Sequence, residues 1–327
     1  MLTVEQDRIC GVVYGQAIGD ALGLGTEFLS KDEVKQYYPE GLRAYEQIVG
    51  DSHRSRWVRG DWTDDTDQML CILDSLLEHG SVVVNDIAAR LYQWAAGGGM
   101  GIGNTVAAVL SDPEFLIRPH AVSQRIWEKT GRCVAANGAV MRTSVLGVWE
   151  LRSPERVRFH AEEVCRITHY DPRCVASCVA VSLAIADLVQ ARPVEQVLAV
   201  TADRLNAYQP GLGPWLEHVL EQPLDALDLD EGLNPGEEDR IGYTLKALGA
   251  GFWALAHASS FEEGVDRIVH EGGDADTNAA VAGALLGARD GYSAIPDAWV
   301  DGLAYEMELH VRAERLLAIC DRMNGAS

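Results

Sequence analysis

Two short acidic clusters, Thr63-Asp64-Asp65 and Asp274-Ala275-Asp276-Thr277, stand about 210 residues apart, each where a helical pattern begins. Together they offer four carboxylates and two hydroxyls, the oxygen donors of a hard divalent cation. With no Cys and no obvious His among them, the set selects Mg2+, Ca2+ or Mn2+ over zinc. If the clusters converge, each pair of carboxylates held about 4 Å apart repels by roughly 4 kcal/mol at an effective dielectric near 20. Bound cations relieve that repulsion, and six donors with bridging carboxylates suffice for two ions. The ordinary account of either cluster alone is helix capping, because Asp and Thr satisfy free N–H groups and favour the positive end of the helix dipole. A cap needs one acid or hydroxyl, however, and each start here carries two acids and a threonine. The surplus points to a shared site.

The elements that must position these groups are helical. After Asp65, apolar residues fall at Met69, Leu70, Ile72, Leu73, Leu76 and Leu77, and Gly80 closes the run, which predicts an amphipathic helix with the acids in its first turn. After Thr277, the stretch Ala279 to Ala288 is apolar nearly all round with small residues four apart, the pattern of a tightly packed central helix. The same periodicity covers residues 5–23, 64–79, 85–96, 104–110, 154–167, 172–191, 194–205, 243–257, 261–270, 276–289 and 302–323. Helix starts are signalled at Ser153-Pro154, Asp171-Pro172 and Ser260, and stops at Gly80, Gly97 and Gly325. Alternating strands are missing, so the expected fold class is all-α. The segment Gln222 to Arg240 holds Pro223, Gly232, Pro235 and Gly236 and reads as an acidic surface loop. Because the two acidic clusters flank it and share a site, residues 1–327 are expected to form one domain.

Lys and Arg total 27 against 49 Asp and Glu, a net charge of −22, and no basic block of five occurs. Duplex nucleic acid is therefore not an expected partner. The seven cysteines are odd in number and mostly fall inside apolar helical patterns, which fits buried free thiols. The N-terminus has no basic segment followed by an apolar run, and no stretch of eighteen apolar residues occurs. A reducing cytoplasm, no membrane association and a monomer are the expectations.

Three further turns carry candidate groups. Gly97-Gly98-Gly99-Met100-Gly101-Ile102-Gly103-Asn104-Thr105 joins two helical segments; Asn104 or Thr105 can cap the second, and free N–H groups there suit phosphate. It lacks the Gly-Lys-Ser/Thr of a Walker A loop, and a flexible linker is as good a reading. Asn137-Gly138-Ala139-Val140-Met141-Arg142 ends in a basic residue expected in a surface ion pair rather than on phosphate. His169, in Ile167-Thr168-His169-Tyr170-Asp171-Pro172, lies at a helix junction. Glu27, after the Gly-rich end of the first helix, is either a surface acid or a general acid or base beside the metals.

In order along the chain, Gly15-Gln16-Ala17-Ile18-Gly19-Asp20-Ala21-Leu22-Gly23 with Glu27, Trp62-Thr63-Asp64-Asp65-Thr66, the Gly97–Asn104 loop, Asn137 to Arg142, Thr168-His169, and Gly273 to Asn278 resemble the ADP-ribosylglycohydrolase family. The resemblance runs from about Gly11 to Arg289; each motif is weak alone, and the ordered set is specific. It implies a compact orthogonal all-α multi-helix bundle with a dinuclear centre of two Mg2+, or Mn2+. Thr63, Asp64, Asp65, Asp274, Asp276 and Thr277 would then ligate metal. Glu27 would be the acid or base, and Asp65 would also position water. Gly99, Gly101, Gly103, Asn104, Asn137, Gly138, Met141 and His169 would form the wall that holds ADP-ribose, on a modified protein or a small molecule. The implied reaction hydrolyses the bond from ribose C1 to the acceptor through an oxocarbenium-like transition state. Arginine is the first choice of acceptor, with serine-linked ADP-ribose and O-acetyl-ADP-ribose as alternatives. Two departures stand out: Ala136 replaces the usual Gly before Asn137, and no carboxylate lies between Asp86 and Asp112, so a catalytic acid cannot come from the Gly-rich loop.

Two other classes compete. Asp64-Asp65-Thr66-Asp67-Gln68 superficially resembles the Asp-Asp-x-x-Asp motif of prenyl-diphosphate enzymes, but Gln68 interrupts it and a second aspartate-rich motif is missing. A crystallin-like structural or ADP-ribose-binding relative need not keep every ligand, whereas all six proposed donors are present here.

Overall fold

A computed structural model describes residues 2–233 and 241–325. In chain order the helices are α1 (Val4–Gly23), α2 (Lys31–Tyr37), α3 (Asp64–His79), α4 (Val84–Ala96), α5 (Asn104–Leu110), α6 (Pro119–Lys129), α7 (Val145–Val148), α8 (Pro154–Cys165) and α9 (Pro172–Val189). They continue with α10 (Val194–Tyr208), α11 (Leu212–Glu221), α12 (Thr244–His257), α13 (Phe261–Val269), α14 (Ala275–Asp290), α15 (Asp297–Asp301) and α16 (Glu306–Gly325). Among the described residues there is no strand, only an isolated bridge between Ala136 and Tyr243, so the all-α expectation holds. The helices α2, α6, α11 and the short α7 and α15 fall outside the periodic segments.

The centre of the molecule is a seam between α1 and α14. Gly11, Gly15, Gly19 and Gly23 face Gly287, Gly283, Ala279 and Ala275 in turn, and a Cβ at any of the four α1 glycines would overlap backbone atoms of α14. Steps of four residues in opposite directions mean that the helices run antiparallel with their backbones in direct contact. Glycine is less favourable than alanine inside a helix by about 1 kcal/mol; here close packing of two largely buried helices outweighs that cost. The seam also carries the geometry of the site, because it sets the C-terminal end of α1 beside the N-terminal end of α14.

Around this pair, α14 packs on α9, α12 and α13. Helix α9 is, among the described residues, the one helix long and apolar enough to cross a membrane by length and composition, yet 89% of its 18 residues are buried within the protein, as befits a core helix. All seven cysteines are free and five of them are buried. The expected surface loop after Gln222 is less exposed than its composition implies: Leu224 and Leu229 are buried, and the Asp230 carboxylate accepts the backbone N–H of Lys31 at 2.9 Å. Its remainder, with Pro235, Gly236 and Arg240, lies outside the described residues.

Candidate active site

The two acidic clusters converge. Asp20, Asp65 and Asp276 each bring a carboxylate oxygen within 4.8 Å of the other two, and so do Glu27, Asp274 and Asp276. Asp276 belongs to both triads. Both triads depend on the α1–α14 seam, since Asp20 is on α1, Glu27 follows it, and the remaining acids sit at the starts of α3 and α14.

Neither cluster caps its helix from the preceding position, although Asp276 accepts the Thr277 N–H within the first turn of α14 at 2.8 Å. Thr63 and Asp274 occupy the positions before α3 and α14, and neither side chain caps the helix that follows. Helix α3 is capped instead from α1: one Asp20 oxygen accepts Thr63 N–H at 2.9 Å and its hydroxyl at 2.8 Å. The other accepts Thr66 N–H at 2.9 Å and its hydroxyl at 2.6 Å. Asp20 thus anchors α3, leaving the acids of that helix for other work.

Several features of the cluster fit a divalent cation. The Thr63 hydroxyl, with a single proton, lies 2.8, 3.1 and 3.3 Å from oxygens of Asp20, Asp65 and Asp276, so at most one of these contacts is a hydrogen bond that it donates. Asp65 Oδ1 is buried with no hydrogen-bond partner among the described residues. Burial pushes every aspartate of the group upward, and neighbouring acids add to it for all but Asp20. Asp20 rises to about 7 despite its threonine donors, Asp274 rises to about 6 with Glu27 as the next cause, and Asp64, Asp65 and Asp276 lie well above the ordinary carboxylate range. Buried like charges without a counter-cation carry a heavy desolvation cost, and the donor set is all oxygen.

The acids floor one end of a cleft of about 530 Å3, within the range of small-molecule sites. Its walls include Gly101, Gly103, Asn104, Asn137, Gly138, Met141 and His169, with Glu27, Asp64, Asp65, Asp274, Asp276 and Thr277 at the acidic end. Of the expected wall, Gly99 is the exception: it packs on Ala95 of α4. Gly101, at φ +92°, lies against the Asp64 carboxylate, leaving no space for a Cβ. Neither Asn104 nor Thr105 caps α5, which Gly103 precedes. Asp64 stands outside both triads, with one oxygen accepting the Gln68 amide at 2.8 Å. Thr63 is behind the cleft wall among the acids, and Asn137 donates to Asp274 at 2.6 Å.

Several residues here had no role in the sequence reading. Asp20 was visible inside a glycine-rich apolar helix, where an acid is a burial signal. His53 lies in an irregular segment with no periodic cue; its Nε2 is 2.6 Å from Glu27 Oε2, and Arg56 donates to its Nδ1 at 2.6 Å. Since a guanidinium only donates, Nδ1 accepts and Nε2–H donates to Glu27. Buried Arg54 donates to the Glu27 and Gly25 carbonyls and fixes the backbone there. Arg142 corrects an expectation: it is fully buried and makes no ion pair with any described carboxylate. Asp67 takes the indole N–H groups of Trp62 and Trp94 at 3.0 and 2.9 Å and lies outside the cleft lining. The acid next to the interrupting Gln68 is thus turned away from the site and does not replace the missing third acid of the prenyl-diphosphate motif.

The family model for ADP-ribosylglycohydrolase matches residues 1–325. ADP-ribosylarginine hydrolase Tri1 of Serratia proteamaculans (strain 568) is 27% identical over 95% of this chain and 79% of its own length. ADP-ribosyl-[dinitrogen reductase] glycohydrolase of Rhodospirillum rubrum is 27% identical over 96% of each chain. A solved structure described as an ADP-ribosylglycohydrolase-related protein complex superposes with a TM-score of 0.73 at 30% identity, covering 98% of this chain and 100% of that one. The chain belongs to the ADP-ribosylglycohydrolase family and is an enzyme that hydrolyses ADP-ribose linkages.

Proposed function

We propose that the enzyme is a divalent-metal-dependent hydrolase that cleaves the ribose C1 bond of ADP-ribosyl-arginine on protein. The observation that carries this reading is the meeting of two carboxylate triads, sharing Asp276, at the end of the cleft. Thr63, Asp64, Asp65, Asp274, Asp276 and Thr277 would hold two Mg2+ or Mn2+ ions, with Asp20 completing the group from behind. Such ions lower the pKa of an attacking water and orient ribose hydroxyls.

The chain's own residues supply the rest. Asp65 keeps an unpartnered oxygen among the acids and is assigned to positioning water. Glu27 lines the cleft with one oxygen fixed by His53; the other is assigned to deliver a proton to the departing acceptor, as an oxocarbenium-like transition state requires. The carboxylates also offset the positive charge that develops at C1. Asn137 holds Asp274, and the Gly101–Asn104 edge, Gly138, Met141 and His169 face the space for ADP-ribose. Arginine as acceptor is supported by the relative named for that activity.

The test is release of free ADP-ribose by the purified chain, with Mg2+ or Mn2+, from ADP-ribose linked to arginine, to serine or to acetate. Arginine is expected to be released at least tenfold faster than the others. A faster reaction with serine or acetate replaces the acceptor, and no release from any of the three overturns the reading.

A further inference from the structure

Among the described residues, Arg142 is a buried cation without an anion. Its guanidinium donates to two neutral oxygens, Gln68 Oε1 and Thr168 Oγ1, both at 2.5 Å, and its Nε has no partner. Because a guanidinium has only donors, it dictates the direction of every hydrogen bond beyond it. On one side Gln68 must turn its carbonyl to Arg142 and its amide N–H to Asp64, where the distance is 2.8 Å. On the other side Thr168 accepts from Arg142, so its one proton goes to His169 Nδ1 at 2.8 Å. A neutral ring whose Nδ1 accepts carries its proton on Nε2. That nitrogen is buried, has no partner among the described residues, and belongs to a residue that lines the cleft beside Gly138. Burial and the Arg142 charge push the ring down to about 3, in keeping with a neutral side chain.

We infer that Arg142 is a positioning residue that, through Thr168, locks His169 as the Nε2–H tautomer and so presents a neutral hydrogen-bond donor to a ribose or phosphate oxygen of the ligand. The same cation, through Gln68, turns a donor onto Asp64 and leaves its other oxygen against Gly101. His169 is then a donor to substrate and not a base. The ligand part of this assignment rests on the proposed function; the tautomer does not.

Thr168→Val removes the relay hydroxyl at nearly constant shape, and Thr168→Ser keeps it. The tautomer is read on the full, ligand-free chain from long-range 1H–15N correlations of 15N-histidine protein, with His169→Gln giving the assignment. ADP-ribose affinity is read by calorimetry. Expected are a single Nε2–H tautomer in the wild type and in Thr168→Ser, a mixture in Thr168→Val, and roughly tenfold weaker ADP-ribose binding in Thr168→Val alone, the worth of about one hydrogen bond. An Nδ1–H ring in the wild type, or an unchanged Nε2–H ring in Thr168→Val, overturns the relay. A mixed tautomer with unweakened ADP-ribose binding overturns the donor role. If the wild type binds no ADP-ribose, the proposed function and the donor's ligand both fall, while the tautomer comparison still decides the relay.

Discussion

At the scale of single residues, the site is a set of groups whose own demands conflict in the metal-free chain, a conflict that the proposed cations would relieve. One threonine proton faces three carboxylates, and Asp276 sits in both triads. Replacing Asp276 with Asn therefore has opposite effects on activity and on metal-free stability. Asp276→Asn is expected to lower turnover at least a thousandfold, on the order of the loss of a group central to transition-state electrostatics. In EDTA its melting temperature should be no lower than that of the wild type, because a carboxylate whose ionisation is opposed by burial and by neighbouring acids has been removed. Near wild-type turnover with metal supplied sinks the assignment, and a collapse of the metal-free fold makes Asp276 a structural residue instead. Donor type and number made the acids legible in the sequence. His53, Gln68 and the buried placement of Arg142 were not, because their meaning lies in the contacts His53–Glu27, Gln68–Arg142 and Arg142–Thr168, which span 26 or more residues, and no periodic pattern marks them.

Among the elements, the α1–α14 seam decides whether the triads form at all. Adding one methyl at Gly15 brings two opposed terms: alanine improves helix propensity by about 1 kcal/mol, while overpacking costs about 1–3 kcal/mol or more. Overpacking wins at Gly15, because the methyl would meet the Gly283 backbone and Phe261, and backbone cannot rotate aside. Gly15→Ala should lose about 2 kcal/mol of stability in denaturant melts, with activity falling as α1 shifts the Asp20 and Glu27 ends. Gly249 in α12 is the contrast, since its methyl would touch only Val219 and Trp215 side chains at 3.5 Å or more. Gly249→Ala should gain up to about 1 kcal/mol; equal effects at both positions would mean that the seam is not close-packed. The spacing of small residues in α14 showed that this helix packs tightly, but not that the Gly-rich first helix is what it packs on. Short elements escaped for a different reason. α2 has seven residues and one buried side chain, too little for a periodic signal, although its Ser30–Glu33 capping box was legible in principle.

For the molecule as a whole, the cluster ties folding to pH, and the proposed metal site would tie both to the cation. Asp20, Asp64, Asp65, Asp274 and Asp276 all have raised folded values. Between the ordinary aspartate range near 4 and about 7, the metal-free folded chain therefore holds protons that the unfolded chain has released. By linkage this part of the stability falls as pH rises. His160 and His169 are shifted down and act with the opposite sign, favouring the folded state as pH rises toward the ordinary histidine value near 6.5. A cation needs the carboxylates ionised, so its contribution must increase over the same interval. The histidine terms are present with and without metal and cancel in the difference. Hence the rise in melting temperature produced by a fixed Mg2+ concentration, against an EDTA baseline, should be small at pH 5 and grow steadily to pH 8. General screening of the −22 charge also raises stability in salt, but it acts on the whole surface and should be the same in Asp276→Asn. An Mg2+ increment that is flat with pH, or that survives in Asp276→Asn, would show that the stabilisation comes from the surface and not from a cation held between α1, α3 and α14.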